Sequence, residues 1–220
     1  LLGPQGTLYG AGTLGGAIRY IPNKPDFTAP MMEVRADAYQ YSEASSLSRD
    51  LGVTFNAPLS DTFAVRASFD QLHDSGFIDY NFLVRQPGIS DPDPDFSDPA
   101  AVTQNLINKK DANYESVTSG RLAARWAPTD WLDGTLTYHF QEKDVGARQV
   151  SHRRSTLATG DYVSASRVTE PNRRWNELLA LELTADLGFA QLTSSTGKSR
   201  YTELGQRDQT DLLISLEYSY

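Results

Sequence analysis

A glycine-rich motif near the start of the chain is the first candidate for chemistry. Gly10-Ala11-Gly12-Thr13-Leu14-Gly15 satisfies the G-x-G-x-x-G spacing of dinucleotide-binding turns, and Glu33 or Asp37 follows at about the required 20 residues. That fingerprint needs a buried strand before it and a helix after it, because the pyrophosphate lies on the helix N-terminus. Residues 16–22 instead form an extended run ending in proline, which argues against nucleotide binding.

The second candidate is an acidic loop in which carboxylates alternate with prolines from Asp91 to Asp98. Carboxylate oxygens at such spacing suit a hard cation such as calcium. An EF-hand loop, however, needs glycine at its sixth position and glutamate at its twelfth, where this chain has Phe96 and Val102. The pattern therefore favours a solvated, proline-stiffened loop over a metal site.

The remaining reactive residue types form no catalytic group. His73, His139 and His152 have no metal-ligand spacing among themselves, and His139 is expected to point into a polar interior. No serine lies in a G-x-S-x-G motif, and the chain has no cysteine to act as a nucleophile. We therefore expect no enzyme, no cofactor and no bound metal.

Four arginines near the second long loop are the ligand-binding candidates: Arg153, Arg154, Arg173 and Arg174. A guanidinium binds carboxylate or phosphate in a bidentate manner, so these residues could meet a carboxylate-bearing ligand or a lipopolysaccharide phosphate. Charged residues at the base of a loop are also ordinary and require no ligand. The sequence does not decide between a ligand-binding role for these arginines and an ordinary charged loop base.

The elements that must position these residues are strands. Apolar and polar residues alternate over most of the chain after Pro25, as in Leu51, Val53 and Phe55 against Gly52 and Thr54. This pattern predicts an all-β fold of about eight strands, each close to the ~9–11 residues that a tilted strand needs to cross a bilayer. The predicted strands cover residues 31–41, 50–57, 62–70, 114–126, 132–141, 179–184, 189–201 and 212–220.

The connections between these strands alternate in length. Short turns are predicted at residues 58–61, 127–130 and 186–188, and long loops at 73–113 and 144–173, with a shorter one near 203–211. Outer-membrane barrels have short periplasmic turns and long extracellular loops, with aromatic residues at both interfaces. Aromatic residues do occur beside both kinds of connection, so the pattern predicts part of an antiparallel transmembrane β-barrel.

Composition agrees with this prediction. The chain has 220 residues and a net charge of −8, which argues against a nucleic-acid partner. No apolar run approaches the ~18–20 residues of a membrane helix, and strands that face lipid with every second residue would produce none.

The opening segment carries a specific resemblance. It resembles the end of the plug domain of TonB-dependent outer-membrane receptors, which commonly reads LRGPQGTLYG followed by GGAI and a strand. Leu2 replaces the usual arginine. The matching positions are Gly3, Pro4, Gln5, Gly6, Thr7, Leu8, Tyr9, Gly10, Gly15, Gly16, Ala17 and Ile18.

The resemblance implies that the chain is a fragment of such a receptor, with residues 1–25 ending the plug and residues 26–220 beginning a barrel of about 22 strands. It implies location in the outer membrane of a Gram-negative bacterium and contact with its lipid. It also implies uptake of a scarce nutrient, energised by the periplasmic TonB complex. The default ligand of the family is a ferric siderophore, with vitamin B12 or a carbohydrate as competitors.

Two other classes stay open. One is a complete eight-stranded barrel with a structural or adhesive role, and the other is a soluble β domain that binds glycans. Neither accounts for the glycine motif between Gly3 and Gly16.

Overall fold

The structure, a computed structural model, describes residues 3, 16, 20–151 and 160–210. These residues form ten strands and one short helix. The elements are β1 (Met31–Tyr39), β2 (Ser48–Ser60), β3 (Phe63–Asp74), β4 (Asp79–Val84), α1 (Pro99–Asn105), β5 (Leu106–Lys109), β6 (Glu115–Thr129), β7 (Leu132–Val145), β8 (Val163–Ser164), β9 (Asn172–Asp186) and β10 (Gln191–Gly205).

The main sheet has seven strands in the order β1-β2-β3-β6-β7-β9-β10, and every neighbouring pair is antiparallel. The predicted all-β class is therefore confirmed. Seven of the predicted strands correspond to this sheet, and the one predicted at 212–220 lies outside the described residues. Within the described part of the chain the sheet is open, with β1 and β10 as its edges.

Two strands extend into segments that the sequence predicts to be turns. β2 continues through Pro58 to Ser60, and β6 continues through Pro128 to Thr129. The strand register shifts at both places, next to each proline. Because proline has no N–H to donate to the ladder, it fits at such an irregularity, and the strands can continue to a tighter turn.

The two long connections contain structure that the sequence analysis did not predict. They form a second sheet in the order β5-β4-β8, in which β8 pairs with β4 in parallel. Helix α1 starts at Pro99, where the Asp98 side chain accepts a hydrogen bond from the backbone N–H of Ala100. These strands have two to six residues, too few to give a clear period in the sequence.

A small apolar core holds this second sheet together. It consists of Ile78, Tyr80, Leu83, Ala112 and Ala147, all buried. Its members come from both long connections, so the described parts of the two connections pack as one unit, which we call the loop cap (residues 75–114, 146–151 and 160–171).

Candidate functional site

The two faces of the main sheet differ in chemistry. The strand register places Ala124, Leu136 and Leu181 in one cross-strand row, and Leu122 lies in the next row on the same face. Leu122 is 55% exposed and Leu136 is 47% exposed, although both are large and apolar. An exposed apolar face of this extent indicates a surface that meets lipid or another protein. We call it the apolar face, and the opposite one the polar face.

Aromatic residues lie at both ends of the apolar face. Near the short turns, Phe63 pairs across the strands with Trp126. Near the long connections, Phe140 stacks on Trp175 with ring centres 6.3 Å apart. The two groups leave a central band of aliphatic side chains between them.

The polar face is partly covered by an extended segment, residues 20–28, which we call the N-terminal strap. Arg121 Nη1 donates to the backbone oxygen of Asn23 at 2.9 Å, and Arg125 Nη1 donates to that of Pro25 at 3.3 Å. Lys24 of the strap forms an ion pair with Glu182 on β9. The strap is thus held across β6, β7 and β9 by charged side chains of the sheet.

Asn56 of β2 fixes the other end of the strap. Its side-chain oxygen accepts from the Asp26 N–H at 2.9 Å, and its Nδ2 donates to the oxygens of Asp26 and Ala29 at 3.0 and 2.9 Å. Asn56 is only 3% exposed. Hydrogen bonds from the Thr28 N–H and hydroxyl lower the pKa of the Asp26 carboxyl below its ordinary value.

A cavity of about 400 Å³ lies between the strap and the sheet. Tyr20 and Ile21 form one wall, and Thr135, Thr137 and His139 belong to the other. His139 therefore lies on the polar face, as the alternation predicts. Thr135 Oγ1 is buried and makes no hydrogen bond within the described residues. An unpaired buried hydroxyl of this kind can form a hydrogen bond with a water molecule, or with a polar group that moves into the cavity.

Nearer the long connections, the polar face is open. A cross-strand row of polar side chains borders a cavity of about 580 Å³. The members of this row, in order from β3 to β10, are Asp70, Ser119, Gln141, Asn176 and Tyr201. A volume of this size is within the range of small-molecule sites, and neutral hydroxyl and amide groups can bind a polar ligand.

Arg167 secures the loop cap. It is 2% exposed, and its Nη1 donates to the Ala165 oxygen at 2.6 Å. Its guanidinium carbon lies 5.6 and 5.8 Å from the ring centres of Phe82 and Phe96, and its backbone N–H donates to Asp208. The buried guanidinium therefore joins the two long connections, and the backbone N–H of the same residue links them to Asp208 after β10. No spacing in the sequence distinguishes Arg167 from the other arginines.

Tyr41 connects the β1–β2 loop to the same cap. Its hydroxyl donates to Asp74 Oδ2 at 2.8 Å, and its ring contacts that of Phe77 with the centres 5.2 Å apart. The hydrogen bond to Asp74, together with burial, raises the pKa of Tyr41 to about 12.

The predicted arginine candidates are not brought together. Arg173 lies on the apolar face, where its Nε donates to Glu142 at 2.8 Å. Arg174 lies on the polar face, 3.2 Å from Glu203. Consecutive residues of a strand point to opposite faces, so these two cannot bind one ligand together. Arg153 and Arg154 lie outside the described residues.

Only two residues of the plug-like motif are described, Gly3 and Gly16, and both have positive φ, at 84° and 137°. A side chain rarely tolerates such a backbone, which agrees with the use of glycine there. The other motif positions lie outside the described residues: Pro4, Gln5, Gly6, Thr7, Leu8, Tyr9, Gly10, Gly15, Ala17 and Ile18.

Comparison with protein-family models, with curated proteins and with solved structures found no match to this chain. Within residues 20–151 and 160–210, no group of histidine and carboxylate side chains is arranged to hold a metal ion. No helix in the described part of the chain is long and apolar enough to cross a membrane.

Proposed function

We propose that this chain is part of a TonB-dependent outer-membrane receptor that takes up a scarce nutrient, with a ferric siderophore as the first ligand to test. Residues 1–25 are the end of the plug, and residues 26–220 are the first strands of the barrel. The apolar face meets membrane lipid, and the polar face lines the interior. The TonB complex acts from the side of the short turns.

The observation that carries this proposal is the N-terminal strap on the polar face. In a plugged barrel the chain must leave the plug and enter the first strand along the inner wall. Here the segment that leads into β1 is held on the polar face by Arg121, Arg125 and Asn56. The apolar face has no such cover within the described residues.

The height of the apolar face also supports a membrane. From Leu132 at the start of β7 to Phe140 near the loop cap, both on the apolar face, there are eight residue steps. At ~3.4 Å per residue this is about 27 Å along the strand, or about 21 Å along the membrane normal for a tilt of ~40°. Outer-membrane barrels have an apolar band of about 25 Å.

The test is to substitute Gly16 by valine in the complete receptor. Gly16 has a φ of 137°, and a strained backbone of this kind costs about 1–3 kcal/mol for a residue with a side chain. We expect the plug to seat poorly. Uptake of the limiting nutrient should fall, or the outer membrane should admit a large antibiotic that it normally excludes.

Gly88→Val is the matched control, because Gly88 also has positive φ but lies in the loop cap with no atom near its missing Cβ. Both variants are measured at equal amounts in the outer membrane. Normal uptake and normal exclusion in Gly16→Val would refute the plug assignment. An eight-stranded barrel would then be the leading alternative.

A further inference from the structure

Arg121 of β6 is a cation of the polar face without an acidic partner. It is half-buried, and its Nη1 donates to the backbone oxygen of Asn23 in the strap at 2.9 Å. Its Nε is closed to solvent and has no hydrogen-bond partner within the described residues. No carboxylate in that part of the chain lies within ion-pair distance of its guanidinium. A partly buried cation without a counter-charge is unfavourable, so we expect an anion to bind beside it.

The charges nearest to Arg121 on β3 do not supply that anion. Arg66 and Asp70 lie one register row to either side of it. Asp70 is bound by Arg35 at 2.9 Å. Arg66 is a second cation, and it makes no ion pair with the described residues. These neighbours therefore leave the surroundings of Arg121 positive.

The remaining charged residues at the two cavities of the polar face cancel in pairs. Glu182 forms an ion pair with the strap. Glu177 and Arg200 border the cavity of about 580 Å³, but they are register partners of opposite charge on the apolar face. Residues 1–25 contain neither aspartate nor glutamate, so the segment that leads into the strap adds no carboxylate. Arg121 is thus the unmatched charge at this cavity.

Neutral polar side chains lie beside Arg121 in the same cavity. Each of β3, β6, β7, β9 and β10 contributes a serine, glutamine or asparagine, and none of these makes a side-chain hydrogen bond within the described residues. Their hydroxyl and amide groups both donate and accept hydrogen bonds, as the hydroxyl groups of a sugar do. We call these residues the neutral row: Ser68, Ser119, Gln141, Asn176 and Ser199.

We propose that this part of the polar face binds an acidic sugar, a carbohydrate that carries a carboxylate. The inference rests on the proposed function and names a substrate class for it. The Arg121 guanidinium holds the carboxylate, and the His139 imidazole, its partner in the register, adds an N–H donor. The neutral row binds the hydroxyl groups. Among the nutrients considered above, the site favours a carbohydrate over a ferric siderophore.

Two simpler ligands complement only half of this site. A neutral sugar pairs with the neutral row but leaves Arg121 without a counter-charge. A small acid without hydroxyl groups neutralises Arg121 but leaves the neutral row without partners. A ligand that satisfies both parts gains from both, so it binds more tightly than either.

The experiment titrates the complete protein, purified from outer membranes in detergent, by calorimetry. The probes are glucuronate, glucose and acetate, which carry both chemical groups, the hydroxyl groups alone and the carboxylate alone. The test variant is Arg121→Gln. Arg125→Gln is the matched control, because Arg125 lies on the same strand and also donates to the strap but does not border the cavity of about 580 Å³. Arg49→Gln removes an equal charge from the apolar face.

We expect glucuronate to bind the wild type and both controls, with glucose and acetate bound about tenfold less tightly or weaker still. In Arg121→Gln the affinity for glucuronate should fall about 10- to 100-fold, because a charge-assisted hydrogen bond is lost, and the affinity for glucose should not change. Equal affinity of the wild type for glucuronate and glucose, or no binding of glucuronate at millimolar concentration, would overturn the inference. An equal loss in Arg125→Gln would also overturn it, since the effect would then come from the strap.

A second variant, Ser119→Ala with Asn176→Ala, keeps Arg121 and its contact with the strap. It therefore tests the site even if Arg121→Gln does not insert. It should bind glucuronate and glucose more weakly and acetate as before, and unchanged binding of glucuronate would contradict the inference. If Arg121→Gln instead exposes the plug to protease and still binds glucuronate normally, the counter-charge of Arg121 is a carboxylate of the protein itself, and the inference is wrong.

Outer-membrane recovery and growth on a limiting ferric siderophore are measured with the same strains. A protein that inserts and supports that growth but does not bind glucuronate contradicts the acidic-sugar site alone. A protein recovered outside the outer membrane contradicts the proposed function.

Discussion

Asn56 shows how one side chain can position a whole segment. It satisfies the N–H and the carbonyl group of Asp26 in the strap, and the carbonyl group of Ala29 just after it, from a site that is nearly closed to solvent. A carboxylate could not replace it, because both a donor and an acceptor are needed on the same side chain. The backbone groups that it binds belong to the last residues before β1.

We expect Asn56→Ala to lower the free energy of unfolding by about 1–3 kcal/mol, because buried backbone groups lose their partners. The Asp26 N–H should also exchange with solvent faster. Asn176→Ala is the matched control, since Asn176 makes no side-chain hydrogen bond within the described residues. Chemical denaturation and hydrogen exchange measure both effects. Equal losses in the two variants would show that Asn56 does not hold the strap.

At the scale of the element, β7 presents a different chemistry on each face. Leu136 is outward and 47% exposed, whereas Gln141 is on the polar face and is also exposed. Thr137, the inward neighbour of Leu136, is 8% exposed beneath the strap. The inward site that best tests the face assignment is therefore Gln141, because an added arginine there does not displace the strap.

We expect Leu136→Arg to reduce the free energy of folding into lipid vesicles by about 2–4 kcal/mol if the residue lies near the midplane. Gln141→Arg should cost much less, since its side chain enters the aqueous interior. Equilibrium folding titrations of the complete protein measure both values. Similar penalties at the two positions would mean that the apolar face does not meet lipid.

At the scale of the whole molecule, the short turns and the loop cap lie at opposite ends of the main sheet. The acidic segment from Asp91 to Asp98 belongs to the loop cap and is mostly exposed, but Pro94 is buried and Phe96 lies against Arg167. It is thus attached to a folded unit and is not a free polar loop. In the proposed orientation this unit faces the outside of the cell.

An epitope tag inserted after Gly88 should be detected by antibody on intact cells, because that position is exposed at the surface of the loop cap. The same tag inserted after Gly188, in the β9–β10 turn, should be detected only after the outer membrane is opened. The two insertion sites are comparable, because both glycines have positive φ and no atom within 4 Å of the position that a Cβ would occupy. The reverse labelling would refute the orientation.

The strands and their two faces follow from the sequence alone, because a period of two needs only local information. β2, β3, β6 and β7 appear where alternation predicts them, and His139 lies on the polar side. The start of β9 was less predictable, since residues 172–177 contain Trp175 as their one apolar residue and show no apolar alternation.

Only the tertiary structure decided how the polar face is used. The contacts of Arg121 and Arg125 with the strap join residues about a hundred positions apart, and no local pattern encodes them. The pairing of β4 with β8 likewise joins distant short segments. The separation of Arg173 from Arg174 depends on strand geometry, which turns neighbours in sequence to opposite sides of the sheet. Such pairings arise from packing between remote segments, and packing is a property of the folded chain.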